Sequence, residues 1–231
     1  MVDSTQAVED AEPTQVPSPV PIPVDFRVWT EINSDIYGWI NIPDTNINYP
    51  VAQSGDDDSY YLTHHFDKTT NSFGSIFSEA TYNHKGFSDR VTTLYGHDIW
   101  TDDLYFHQLH KFSDNEFFRE HPSVYTYTDN EMQTWNVLAW VVLDDQHIMY
   151  GYDSFADTED VSDFFEMARS SQDSIVREDA LKDIGNESRF LFLSTCHPEL
   201  PDMRCILVCE LSERQPASYQ GEGIQPKDIP Q

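Results

Sequence analysis

The amino-acid sequence predicts a mainly β protein, folded as a barrel or curled sheet with helices inserted between its strands. About eight segments carry the alternation or the short apolar runs that are typical of strands. The helical segments fall irregularly among them, so the regular alternation of a parallel α/β fold is absent. Hydrophobic residues make up 39% of the chain and aromatic residues 13%, which is enough for a sizeable core.

The two ends of the chain differ in composition from the part between them. Residues 1–24 hold several prolines and few large apolar side chains, which is typical of an extended, disordered stalk or linker. Residues 213–231 are also rich in proline and glycine and predict a flexible tail. Residues 25–212 have the size of one domain, so we expect the folded part of the chain to lie within them.

The N-terminal half of this domain is predicted to hold short elements. Residues 25–35 predict a helix, because Phe26, Trp29 and Ile32 recur at helical spacing. The other elements expected in this half are strands at residues 38–43, 47–51, 75–77 and 91–95 and a helical turn at residues 59–64.

The C-terminal half is predicted to hold longer elements. Residues 102–118 predict one or two helices, with Ser113 as the N-cap of the second. An alternating segment is followed by a turn at residues 129–130 and a long second strand, which predicts a hairpin. The elements expected after the first helices are strands at residues 123–128, 134–143, 190–195 and 204–211 and a helix at residues 158–169.

The charge of the chain excludes two classes of partner. It has 41 acidic and 13 basic residues, for a net charge of −28. Nucleic acids and anionic lipid surfaces both require a positive footprint, so neither is an expected partner. A solvated surface that keeps the protein soluble accounts for the acidity, and a cationic partner is the alternative. The chain has no apolar run long enough to predict a membrane span.

The chain has three cysteines, and they do not predict a disulfide. Cys205 and Cys209 lie four residues apart in a predicted strand, which places their Cα atoms about 13 Å apart on one face. A disulfide requires a Cα separation below roughly 7 Å. Both are therefore expected to pack in the core, as small hydrophobic residues do. Cys196 is the thiol that needs another explanation.

Cys196 stands at the end of a predicted strand, and Arg204 opens the next one. A thiolate in that position can attack a carbonyl carbon, and a guanidinium can stabilise the oxyanion that forms. His97 follows Gly96 at the end of an upstream strand and is the candidate acid and base, with the glycine expected to let the backbone turn. His197 lies in a predicted turn and is the weaker candidate.

Two other polar clusters contain residue types that can bind metal ions. His107 and His110 lie three residues apart on a predicted helix, a spacing that can chelate an ion. No cysteine pair or glutamate-rich helical motif accompanies them. The three aspartates at residues 56–58 lack the ligand spacing of a calcium loop. We therefore predict neither a metal site nor a cofactor.

Several segments together resemble the class B sortases of the Gram-positive cell surface. The most specific are Leu-Ser-Thr-Cys at residues 193–196, Arg204 downstream of it, and Gly-His at residues 96–97 upstream. The resemblance covers about residues 26–211. The other matching segments are residues 37–43, 47–51, 60–62, 74–77 and 112–118.

The resemblance implies an eight-stranded sortase-type β-barrel, with N-terminal helices and an extra helix at residues 158–169 before the cysteine strand. It also implies a cysteine transpeptidase. By motif, Cys196 is the nucleophile, His97 the general acid and base, and Arg204 the residue that stabilises the oxyanion or orients the substrate.

The segment from Leu193 to Arg204 is expected to form the floor and lip of a peptide groove, with substrate-binding roles for Leu193, Ser194 and Thr195. Two features depart from the pattern of the family. Many class B members carry an acidic residue soon after the cysteine, whereas His197 follows it here. Cys205 beside Arg204 is also unusual.

The implied substrates are surface proteins that bear a C-terminal sorting signal. The enzyme would cleave after the threonine of the signal, hold the acyl group as a thioester, and pass it to an amine of a peptidoglycan precursor. A pilin lysine is the alternative acceptor, and water would make the protein a plain thiol hydrolase. A non-catalytic peptide-binding module is the remaining alternative. We expect a position on the outer face of the membrane, through an N-terminal anchor that this chain lacks.

Overall fold

A computed structural model describes residues 18–144, 158–171, 173–221 and 223–229. The strands are β1 Val20–Ile22, β2 Ile36–Asn41, β3 Asn48–Ala52, β4 Ile76–Phe77, β5 Val91–Tyr95, β6 Asp98–Ile99, β7 Leu104–Tyr105, β8 Ser123–Tyr127, β9 Glu131–Asp144, β10 Ile175–Val176, β11 Phe190–Cys196 and β12 Met203–Tyr219. The α-helices are α1 Phe26–Ile32, α2 Asn115–Glu120 and α3 Thr158–Ser170, and the 3-10 helices are Tyr60–Leu62, His107–Ser113, Ala180–Asp183 and Pro226–Asp228.

Eight strands form a closed barrel. Their hydrogen-bonded order is β12-β11-β5-β4-β3-β2-β8-β9, and β9 pairs with β12 to close the circle. The strands β1 and β10 extend the sheet outside this circle, and β6 and β7 form a small separate pair. The prediction of an eight-stranded barrel is confirmed. Because β5 runs parallel to β11 while β12 runs antiparallel to it, the ends of β5 and β11 and the start of β12 lie at one rim.

The alternation of the strands separates two hydrophobic clusters. Leu193, Cys205 and Cys209 point into the barrel, where they join a cluster that includes the fully buried Trp29 and Trp39. On the opposite face, the intervening residues of β11 and β12 contact α3. The expected alternation of β12, with Cys205, Leu207 and Cys209 on one face and Ile206 and Val208 on the other, is confirmed.

The predicted helix before the cysteine strand is confirmed as α3. Its apolar side chains cover the outer face of the barrel, and the rings of Phe164 and Phe192 lie 5.3 Å apart between centroids. Val161, Phe165 and Ala168 are also buried there. Among the described residues, no helix is both long and apolar enough to cross a membrane.

The structure corrects both predicted ends of the folded part. β12 runs to Tyr219, so residues 213–219 of the predicted tail form a strand. They pair with the start of β9 and, through Ala217–Tyr219, with the parallel strand β1 inside the predicted stalk. Ile22 is 2% exposed and Ile229 5%, so both ends also contribute to the core. Strand pairing satisfies backbone groups whatever the side chains are, which is why a proline-rich, polar composition did not reveal it.

The predicted helical region at residues 102–118 is divided further than expected. Leu104 and Tyr105 form β7, which pairs with β6, before the 3-10 helix and α2 follow. The N-cap of α2 is Asp114 and not Ser113, because the Asp114 carboxylate accepts hydrogen bonds from the backbone N–H groups of Glu116 and Phe117, both at 2.9 Å.

Candidate active site

The ends of three neighbouring strands bring the predicted catalytic residues together. Ser194 of β11 is level with Tyr95 of β5 in a parallel pair, and Cys196 faces Arg204 of β12 in an antiparallel pair. Extending the parallel register by two residues brings His97 level with Cys196, because parallel strands advance by the same rise. Adjacent strands are about 4.8 Å apart, so the imidazole, the thiol and the guanidinium occupy one row across three strands.

The three thiols of the chain differ in exposure. Cys196 is exposed, whereas Cys205 and Cys209 are buried. Burial, together with the negative charge of Asp98, raises the pKa of Cys205 to about 12, and burial also raises the pKa of Cys209. The prediction that these two residues are packing residues is confirmed. Cys196 is therefore the thiol that a substrate can reach.

His97 is held by a backbone carbonyl from another part of the chain. Its Nε2 lies 2.9 Å from the carbonyl oxygen of Leu62. A carbonyl oxygen can only accept a hydrogen bond, so Nε2 carries a hydrogen and donates it. This bond fixes both the orientation of the imidazole and the nitrogen that is left for proton exchange, Nδ1.

Gly96 is required by packing and not by a turn. Its φ angle is not positive, so the expectation that a glycine is needed there to turn the backbone is wrong. A Cβ atom at this position would instead lie 2.8 Å from the ring of Phe106, which is fully buried. The absence of a side chain lets the backbone before His97 approach that ring closely. Phe106 in turn donates its backbone N–H to the carbonyl of His97 at 3.1 Å.

Arg204 is oriented at the start of β12. Its Nη1 donates to the carbonyl oxygens of Pro201 and Met203, both at 3.0 Å. These two hydrogen bonds hold the guanidinium beside the pairing partner of Arg204, which is Cys196. A fixed cation at this position can stabilise negative charge that develops on a substrate oxygen.

One pocket opens onto this row of residues. Its lining combines apolar side chains with the three predicted catalytic residues and two of the three predicted substrate-binding residues; it consists of Leu62, Phe77, Glu79, Tyr95, Gly96, His97, Ser194, Thr195, Cys196 and Arg204. The hydroxyl oxygen of Thr195 is buried and has no hydrogen-bond partner among the described residues. Thr195 pairs with Cys205, so its side chain lies on the same interior face of the sheet as that thiol.

The expectation that Leu193 binds the substrate is wrong. Its side chain is fully buried and belongs to the cluster inside the barrel. Leu193 pairs with Leu207 on one side and with Leu94 on the other. Side chains alternate along a strand, so Leu193 points to the interior although the next residue, Ser194, lines the pocket.

Two polar pocket residues were not identified from the sequence. Glu79 and Tyr95 lie on adjoining strand ends at the wall of the pocket. Burial raises the pKa of Glu79, while a hydrogen bond with Tyr95 opposes that rise. Burial and the charge of Glu79 both raise the pKa of Tyr95. The sequence signal was weak: an acidic residue two positions after the short apolar segment that ends at Phe77.

His197 is engaged in the turn after the cysteine. Its Nδ1 accepts hydrogen bonds from the backbone N–H groups of Glu199 and Leu200, both at 3.1 Å. Its side chain lines a different cleft, on the side of Cys205. The structure therefore agrees with the choice of His97 over His197 as the partner of Cys196.

Comparisons with known proteins agree with this geometry. The family model of the sortase domain matches residues 40–212. Sortase B of Listeria monocytogenes is 31% identical over 202 residues, which cover 86% of this chain and 78% of that protein. The solved structure of Clostridium perfringens sortase B has a TM-score of 0.71 and 26% identity, and the match covers 82% of this chain and 100% of that chain.

A class B sortase of Streptococcus pyogenes, described as involved in pilus biogenesis, is also similar. Its structure has a TM-score of 0.67 and 26% identity, and the match covers 82% of this chain and 98% of that chain. The family model spans well over half of this sequence, and the structural matches extend over the whole barrel. The chain therefore belongs to the sortase family, in class B, and is a cysteine transpeptidase.

Proposed function

We propose that this enzyme cleaves the sorting signal of a surface protein after a threonine, through a thioester on Cys196. The observation that carries the proposal is the row formed by His97, Cys196 and Arg204, whose side chains all line one pocket. Transfer of an acyl group from a peptide to an amine needs a nucleophile, a group that moves protons, and a positive charge near the oxyanion. The row supplies one of each.

The first half-reaction forms the thioester. The Cys196 thiolate adds to the carbonyl carbon of the threonine, and the Arg204 guanidinium stabilises the charge on the carbonyl oxygen. The C–N bond then breaks, and the protonated His97 gives its proton to the departing amine. The part of the substrate that ends in threonine remains bonded to the sulfur.

The second half-reaction reverses these roles. The acceptor amine attacks the thioester carbonyl, His97 takes a proton from that amine, and the Cys196 thiolate leaves. One peptide bond is exchanged for another, so the reaction needs no net oxidant or reductant. Because the Nε2 hydrogen of His97 bonds to the carbonyl of Leu62 at 2.9 Å, we assign the proton exchange to Nδ1.

The lining of the pocket supports a peptide substrate. Leu62 and Phe77 offer apolar walls, and Ser194 and Thr195 line the pocket at the end of β11, next to Cys196. Ser194 and Thr195 therefore keep their proposed role in substrate binding. Glu79 adds a carboxylate to the wall, which favours a hydrogen-bond donor on the substrate side chain nearest to it.

Two acceptor amines are compatible with this site. We propose an amine of the cell wall as the acceptor, on the outer face of the membrane, with the chain held there by an N-terminal anchor. A lysine of a pilin subunit is the alternative, because the similar class B sortase of Streptococcus pyogenes is involved in pilus biogenesis.

Mass spectrometry of the intact enzyme tests the proposal. The wild-type protein is incubated with peptides that carry threonine at a fixed position and vary elsewhere. We expect a mass increase equal to the peptide fragment that ends in threonine, located on the peptide containing Cys196. Hydroxylamine should remove it as a hydroxamate, because thioesters react readily with small amines. Added peptidoglycan-type amines or a pilin-type lysine peptide would then show which acceptor forms a product.

Matched variants make this test specific. Cys205→Ala should form the same adduct, because its thiol faces the interior, whereas Cys196→Ala should form none. An adduct on another residue, or cleavage without any adduct, would contradict the proposed mechanism. Release of free acid alone, with no amine product from any acceptor, would favour a thiol hydrolase, and binding without cleavage would favour a peptide-binding module.

A further inference from the structure

Three metal-ligating side chains converge beside the active site. Asp98, His107 and His110 each offer one ligand atom, and these atoms all lie within 4.8 Å of one another. Nδ1 of His107 is 2.5 Å from one oxygen of Asp98, and Nε2 of His110 is 3.2 Å from the other. The catalytic mechanism uses none of the three.

Local backbone structure explains why the two histidines face the same carboxylate. Both belong to the 3-10 helix His107–Ser113, in which residues three apart lie directly above one another. Their ring centroids are 5.9 Å apart. Asp98 approaches from β6, which the pairing with β7 holds next to the start of this helix. Two elements of secondary structure thus fix the three side chains.

The cluster is enclosed and incompletely hydrogen-bonded. The Asp98 side chain is only 6% exposed, and those of His107 and His110 are 31% and 19% exposed. Nε2 of His110 is buried and forms no hydrogen bond within the described part of the chain, although it lies close to Asp98. A buried ring nitrogen that faces a carboxylate without a hydrogen bond is the arrangement that an ion between them would complete.

We propose that Asp98, His107 and His110 bind a divalent transition-metal ion of the zinc class, with solvent as the fourth ligand. Two imidazole nitrogens, one carboxylate oxygen and an open position form a ligand set that such ions accept, whereas calcium and magnesium prefer oxygen ligands alone. Tetrahedral bonds of about 2.1 Å place ligand atoms about 3.4 Å apart, so the observed separations need only small side-chain rotations. The side chain of His107 is partly exposed, which gives solvent a route to the fourth position.

The ion would strengthen the support of a catalytic residue. Asp98 directly follows His97, and the residue before His107 donates its backbone N–H to the carbonyl of His97 at 3.1 Å. An ion that joins Asp98 to His107 therefore links the residue after His97 to the residue after Phe106. It would hold the backbone of His97 against the start of the 3-10 helix. We assign it a structural role, because its ligands lie outside the pocket that holds Cys196.

Titration with cobalt(II), a visible substitute for zinc, tests the site in the full-length Cys196→Ala protein. This background removes the exposed thiol, which could bind the ion itself. We expect saturable visible absorption with one ion per chain. Adding His107→Ala, His110→Gln or Asp98→Asn should weaken binding by at least about tenfold. Zinc should also raise the melting temperature of the Cys196→Ala protein but not that of these variants.

His84→Ala is the matched control. His84 also bonds to an aspartate, Asp89, at 2.8 Å, but its side chain is 89% exposed and no second imidazole among the described residues completes a cluster with it. This variant should bind cobalt like its parent. The site does not exist if the Cys196→Ala protein shows no saturable absorption and no zinc-dependent rise in melting temperature. Unchanged binding in the His107 and His110 variants would also overturn it. Because no turnover is measured, neither result depends on the proposed reaction.

Discussion

Cys196 and Cys209 lie on paired strands of one sheet, yet their surroundings are opposite. Cys196 ends β11, is exposed, and stands across from Arg204. Cys209 lies within β12, is fully buried, and stands across from Leu191 in the interior of the barrel. Cys205 shares the interior face with Cys209 although it directly follows Arg204 in the chain.

The comparison shows that the direction of the side chain and the end of the strand decide which thiol can react. A thiolate is the reactive form of cysteine, and it needs solvent or a nearby cation. Cys196 is exposed and stands across from Arg204, whereas burial raises the pKa of Cys209 and disfavours its thiolate. A one-residue shift along β12 therefore separates the proposed catalytic cation, Arg204, from a buried thiol with a raised pKa, Cys205.

The largest expected effect comes from replacing each of the three cysteines by alanine in turn. Cys196→Ala should lower the rate of sorting-peptide cleavage by more than about 1,000-fold, because the nucleophile is lost. Cys205→Ala and Cys209→Ala should retain most of the turnover of the folded enzyme, since their thiols face the core. Cleavage of a quenched fluorescent peptide measures all three, with circular dichroism to confirm folding. A loss in a folded Cys205→Ala protein equal to that of Cys196→Ala would contradict the assignment of faces.

The same alternation explains what could be predicted from the sequence. Apolar runs and alternating segments identified the eight barrel strands, because each strand has a buried face. Chemistry and motif together selected His97, Cys196 and Arg204, which the structure brings to one pocket. Leu193 was misassigned because the four-residue motif was treated as one unit, although alternate residues of a strand face opposite sides.

Other features depended on contacts that no local pattern reveals. Glu79 lies at the pocket because β4 pairs with β5, two residues before it. Leu62 lies there because its carbonyl oxygen accepts a hydrogen bond from His97. Asp98, which faces His107 and His110, was missed because it lies on a separate short strand, nine residues before His107. Such contacts follow from the closure of the barrel and from loop packing, which sequence periodicity does not encode.

The next effect concerns the cation that distinguishes the exposed thiol from the buried ones. Arg204→Ala should lower kcat/KM by about 100-fold to 1,000-fold, the cost of losing one oxyanion-stabilising group. Arg204→Lys should recover only part of this, because lysine keeps the charge but not the planar fork held by the carbonyls of Pro201 and Met203. Steady-state kinetics with one peptide measures the series.

Arg214→Ala is the control for that series. Arg214 lies on the same strand, far from the pocket, and pairs with Glu131 at 3.1 Å. A partly exposed ion pair contributes little, so turnover should stay within about twofold of wild type. Equal losses in the Arg204 and Arg214 variants would show that both act through stability and not through the oxyanion.

The smallest expected effect concerns the buried thiol, Cys209, and the pH dependence of the free energy of unfolding. Burial raises the pKa of Cys209 above its ordinary value of 9.0, so the folded protein keeps this thiol protonated where the unfolded chain loses the proton. The part of the free energy of unfolding that comes from the protonated Cys209 thiol is therefore fully present below about pH 9. It is lost as the pH rises above that value, by up to about 1.4 kcal/mol per pH unit. The free energy of unfolding of Cys209→Ala, from urea titrations between pH 8 and pH 10.5, should fall less steeply than that of wild type. Parallel slopes for wild type and Cys209→Ala would mean that solvent reaches the interior thiol.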